Sequence, residues 1–194
     1  MSLYPIFLYV HMIGAIGYSA GTLISLLGLA SLRRARSVEG ARSILGLLEL
    51  SGPVSGISLL FTIIAGLYMA GTTWAWQTGW IDVALGSLVL LLAMGALMGT
   101  RRHAIAKMAQ EMPDGPLPES LRRRIYDPWM GMGTYILIML ILGIVLLMTV
   151  KPALGGSLLV MGVAVILGLG VSLPNWSTRR RMAEKRQEGV EEVR

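Results

Sequence analysis

Five stretches of this chain run apolar for twenty residues or more, and short charged segments separate them. A helix needs only about 20 apolar residues to cross roughly 30 Å of hydrocarbon. In that medium every backbone N–H and C=O must find its partner within the protein, which the helix does for itself. The pattern therefore predicts an all-α fold, a polytopic integral membrane helical bundle with spans at residues 3–32, 44–71, 80–100, 129–150 and 153–174. Residues 1–178 form a single membrane domain, and residues 179–194 form a charged cytoplasmic tail. Charged residues are 14% of the chain, against about 25% in soluble domains. The first run is too long for a signal peptide's apolar region and no basic residue precedes it, so it reads as an uncleaved span.

The positions of the charges set the direction. Sixteen of the seventeen lysines and arginines follow the first, third or fifth run, and Lys151 alone falls on the other side. Lysine and arginine accumulate on the cytoplasmic side, so the expected topology is amino terminus outside and carboxyl terminus inside. That topology requires an odd number of spans, as found. The same positions exclude nucleic acid as a partner. The arginines are short clusters at helix ends beside anionic membrane lipids, not one basic stripe.

Along the chain, Pro5 suits a first helical turn. Residues 33–43 read as a basic loop. Glu49 falls near the inner boundary, where it is expected to pair with Arg42 or another loop arginine, and Pro53 is expected to bend its helix. Trp74, Trp76 and Trp80 form an aromatic belt at the outer face or, in the sharper reading, a lid over an outward pocket. Asp82 suits a helix start. Gly17/Gly21, Gly52/Gly56 and Gly95/Gly99 have the spacing of close helix packing. Residues 101–127 are the one sizeable soluble segment, with Pro113, Pro116 and Pro118 breaking any long helix. Asp127-Pro128 reads as N-cap and first turn of the next span. Asn175-Trp-Ser177 matches the glycosylation pattern but faces the cytoplasm.

Little chemistry is on offer. There is no cysteine, no phosphate-cradling glycine loop, no Ser/His/Asp set in one layer, no pair of intramembrane carboxylates and no inverted repeat of the transporter kind. The 13 methionines read mostly as packing filler, although methionine can ligate haem iron. His11 is the exception, because a polar ring at bilayer depth needs a partner. Gly14, Tyr18, Gly21 and Ser25 follow it on one helix face. Its bland role is a hydrogen bond to a neighbouring helix, with Tyr68 or Ser87 as partner; its sharper role is a metal ligand. The glycines beside it make a smooth surface for another helix or a flat ligand.

The segment Leu8-Tyr-Val-His11-Met-Ile-Gly14, the Gly17 to Gly21 spacing, Gly66 and Gly71 before the tryptophan-rich loop, and Gly79-Trp80-Ile81 resemble the copper-resistance-D-like and HemJ-type group of small bacterial membrane proteins. The likeness covers roughly residues 5–105. It implies a helical bundle in the bacterial cytoplasmic membrane and, for the HemJ type, a haem b ligated by the first-span histidine, which corresponds to His11. Gly14, Tyr18 and Met69 complete the expected cofactor-binding set. In the HemJ type further polar residues, including a second histidine, follow the histidine helix. Arg33 and Arg34 stand there in this chain, and no catalytic residue is carried over. Three functions are expected in turn. The first is a haem-binding or redox-associated membrane subunit using His11. The second is a non-catalytic accessory subunit of a larger membrane complex or homo-oligomer. The third is a small-solute or metal transporter.

Overall fold

The computed structural model describes residues 3–74 and 78–172, and its elements are all helical. They are α1 (Tyr4–Leu32), α2 (Val38–Thr73), α3 (Gly79–Gln110), α4 (Glu119–Ile125), α5 (Pro128–Val150) and α6 (Leu154–Ser172). Among the described residues five helices are long and apolar enough to cross a membrane, the short α4 leading into the fourth of them. The bundle is apolar outside as well as in. Leu27, Leu50, Leu159 and Ile166 are among many large aliphatic side chains that are more than half exposed. A protein surrounded by water does not carry so much contiguous apolar surface.

Two spans overshoot their sequence-predicted limits at the same end. Residues 38–43 are not loop but the first turns of α2. Ser37 caps them, its Oγ accepting the Gly40 N–H at 3.3 Å, and Glu39 suits the positive end of the helix dipole. Likewise α3 does not stop at Thr100 but continues to Gln110. At 36 residues, α2 is about 54 Å long. The α3 extension is basic and the α2 extension carries Glu39 and Arg42, charges that read as loop, yet each has a buried apolar face. Ala41 and Leu45 from α2, with Ile105, Ala106 and Ala109 from α3, pack on Leu121 and Ile125 of α4 and on Leu29 and Leu32 of α1. The soluble segment is thus a small helical layer with its own core. Its proline-rich turn is tied to the α1–α2 turn by Val38 N–H to Gly115 O at 2.9 Å and Leu117 N–H to Arg36 O at 3.1 Å. Gly115 supplies the carbonyl from φ +145°, a conformation open to glycine and strained for other residues.

Within the membrane layer α1 and α2 form a close antiparallel pair. The α1 glycines meet α2 in reverse order, Gly28 at Leu48, Gly21 at Ser55, Gly17 at Ser58 and Gly14 at Ser58 and Thr62. Lipid gives no hydrophobic drive between helices, so close backbone approach has to contribute. α2 runs unbroken through Pro53. The central core joins Leu59 of α2, Leu91 and Met98 of α3, Leu137, Leu140 and Leu147 of α5, and Met161 of α6.

The two ends differ in charge. At one, Arg42 pairs with Asp114 at 2.9 Å and Arg101 with Asp127 at 3.0 Å. Asp127 also caps α5, accepting the Trp129 N–H at 3.0 Å. At the other, Trp74 meets Trp80 edge-on with centroids 5.5 Å apart, and the Lys151 ammonium lies 4.2 Å over the Trp74 ring. Trp76, Asn175-Trp-Ser177 and the charged tail lie outside the described residues.

Candidate functional site

His11 sits at the α1–α2 seam, and its Nδ1–H donates to the Thr62 carbonyl at 2.8 Å. The expected partners are engaged elsewhere. Tyr68 stacks on Phe7 with centroids 3.7 Å apart, and Ser87 donates to its own Val83 carbonyl at 2.7 Å. A carbonyl only accepts, so Nδ1 bears a proton, and in the neutral ring the lone pair is then on Nε2. Gly66 makes room for the ring: a Cβ there would lie 3.1 Å from His11 Cε1 and Nδ1. Met69 is buried, one turn or about 4.5 Å of helix rise beyond Gly66.

Of the other expected cofactor residues, Gly14 faces α2 and Tyr18 a separate space. At Gly14 a Cβ would be 2.5 Å from Thr62 Oγ1 and 2.6 Å from the Ser58 carbonyl oxygen, so α2, not a flat ligand, occupies that face. Tyr18 turns to a different space, described below. Glu49 pairs with His103, Nδ1 to Oε1 at 3.0 Å, and not with Arg42, which Asp114 and the carbonyls of Ala109 and Met112 hold. Among the described residues no cluster of three or more His, Asp or Glu side chains could hold a metal ion. A metal at His11 would thus have to bring most of its own ligands, as haem iron does.

A cavity of about 330 Å³ opens between α1, α2, α3 and α5. Its polar groups are Tyr18, Thr22 and Ser25 of α1, Ser51 and Ser55 of α2, Arg102 of α3 and Thr134 of α5. Two of the three glycine pairs line it and do not make helix seams. A Cβ at Gly52, Gly56 or Gly99 would meet nothing within 4 Å, and one at Gly95 only the Tyr18 hydroxyl at 3.7 Å. Small residues here leave volume where Gly17 and Gly21 admit a neighbour. Most of the hydroxyls already donate to their own helices: Thr22 to Tyr18 O at 3.0 Å, Ser25 to Gly21 O at 2.9 Å and Ser55 to Ser51 O at 3.0 Å.

Arg102 is the lining cation. Its Nη1 donates to Ser25 Oγ at 2.7 Å, and no carboxylate among the described residues forms an ion pair with it. In the sequence Arg102 counts only as a topology charge. The available signal was helical phase, since Arg102 continues the Gly95/Gly99 face of α3 while Arg101, a residue earlier, turns to Asp127.

No protein-family model, no curated protein and no solved structure matches this chain.

Proposed function

We propose that the protein is a haem-binding or redox-associated subunit of the bacterial cytoplasmic membrane, in which His11 would hold haem b. The supporting observation is the 2.8 Å hydrogen bond from Nδ1 to the Thr62 carbonyl. Metal-ligating histidines commonly give their second ring nitrogen to a carbonyl or carboxylate, which fixes the tautomer and raises the basicity of the ligating nitrogen. Here it leaves Nε2 for iron. A bound haem supplies one-electron chemistry, tuned by its axial ligands and burial. The chain's part is to orient the imidazole between Thr62 and Gly66. In this reading the second ligand would be Met69 of the same chain, a symmetry-related His11 in a homo-oligomer, or none.

His103 is not the second ligand. It belongs to the basic end with Glu49, on the order of 20 Å from the depth of His11 if the bundle spans about 30 Å. Two axial nitrogens sit only about 4 Å apart if each metal bond is about 2 Å.

The full-length protein, expressed with ample haem and purified, is expected to show a Soret band. His11→Ala abolishes it and His103→Ala leaves it unchanged. Haem retained in the His11 variant removes the ligand role, and a colourless wild type favours the accessory-subunit reading.

The basic end is the cytoplasmic end in this proposal, and the Trp74–Trp80 end faces outward. The absence of cysteine makes the orientation easy to test. A membrane-impermeant maleimide added to intact cells should label Thr73→Cys and spare Gln110→Cys; the reverse pattern inverts the topology.

A further inference from the structure

We propose that the cavity between α1, α2, α3 and α5 holds an anionic phospholipid from the leaflet at the basic end, with its phosphate on Arg102 and one acyl chain along the trough beyond. The site is independent of His11, which does not line the cavity.

Charge is the first argument. Arg42, Arg101 and Arg123 each have a carboxylate partner. Among the described residues Arg102 bonds only the Ser25 hydroxyl, and no acidic residue lines the cavity. A guanidinium carries five N–H donors in a planar fork matched to phosphate oxygens, and Ser25 takes one. An uncompensated charge withdrawn from water is unfavourable, and an anion beside it removes that penalty. Basic pockets between transmembrane helices at the membrane margin are suited to anionic headgroups.

Shape argues for a lipid over a free anion. From Arg102 the cavity follows α3 past Gly99 and Gly95 to Leu91 and Leu92, eleven residues or roughly 16 Å of helix. Gly52 and Gly56 keep the facing wall of α2 open, and Leu59 and Leu137 close the deep end with apolar surface. Inorganic phosphate has no use for this trough, and a polar solute would lose hydration against the leucines. An acyl chain joined to a phosphate matches both ends.

The test uses full-length, delipidated protein in a nonionic detergent, titrated with dioleoyl phosphatidylglycerol or dioleoyl phosphatidylcholine and read by native mass spectrometry. The anionic lipid is expected to bind about tenfold more tightly. Arg102→Gln should erase that preference, while Arg123→Gln, whose residue is exposed and paired with Glu119, should keep it. Gly56→Leu fills the trough and leaves the cation, so it should weaken phosphatidylglycerol binding by about tenfold. Equal binding of the two lipids by the wild type, or a preference surviving in Arg102→Gln, overturns the proposal. Displacement by equimolar inorganic phosphate also overturns it, in favour of a simple ion site. Should Arg102→Gln fail to fold, Gly52→Leu and Gly56→Leu decide: undiminished lipid adducts put the lipid outside the cavity.

Discussion

Replacing Gly14 by leucine is expected to separate α1 from α2 and leave little folded protein in detergent. A Cβ at this position would lie 2.6 Å from the Ser58 carbonyl oxygen and 2.9 Å from the Thr62 nitrogen. Both are backbone atoms of α2 and cannot rotate away, so the helices must part. Parting them stretches the His11–Thr62 bond one turn above and opens the seam at Gly17 and Gly21. Overpacking a close-packed interior costs about 1–3 kcal/mol; Gly14→Ala should fall in that range and Gly14→Leu beyond it. At Gly17 and Gly21 the first atoms met are the Ser58 and Ser55 hydroxyl oxygens, which can turn, so alanine there is expected to cost less. Gly52→Ala meets nothing within 4 Å and gains helix propensity, making it neutral or stabilising by up to about 1 kcal/mol. Thermal unfolding in a mild detergent ranks the series. If Gly14→Ala proves as benign as Gly52→Ala, the seam does not hold the pair together.

The glycines also show where sequence reading stops. Three small-xxx-small pairs look alike in the sequence, yet Gly17/Gly21 admits a helix and Gly52/Gly56 with Gly95/Gly99 leaves a cavity. Spacing says that a face is thin; it does not say what the face meets. The spans were legible because each apolar run exceeds the membrane's demand. The helical extensions at the basic end were not, because arginines and lysines hid the period of Ala41, Leu45, Ile105 and Ala109. His11 stood out by its type, but its partner is a backbone carbonyl, and a carbonyl has no sequence signature. The pairing of Glu49 with His103 was missed for the same reason as the extensions, since a loop after Thr100 could not have carried His103 to α2.

The second large effect is a contrast between two equally buried leucines. Leu121 in α4 is 0% exposed and Leu140 in α5 is 1% exposed, yet Leu121→Ala is expected to destabilise the protein more. Leu121 belongs to the helical layer at the basic end, packed with Leu32, Leu45 and Ile125 and flanked in sequence by Glu119 and Arg122–Arg124. Its unfolded state meets water, so truncation forfeits both transfer free energy and packing, about 3–5 kcal/mol in all. Leu140 lies in the central core with Leu91, Leu137 and Leu147, inside an apolar run. Its unfolded state is surrounded by hydrocarbon as apolar as the core, so the transfer part, at about 0.8 kcal/mol for each lost carbon, drops out. What remains is the cavity, on the order of 1–2 kcal/mol. Melting of the two variants in the same mild detergent at one scan rate makes the comparison. A Leu140→Ala loss equal to or above that of Leu121→Ala would place α4 within the apolar phase, and the basic end would then have no water-driven core to hold α2 and α3 past the membrane boundary.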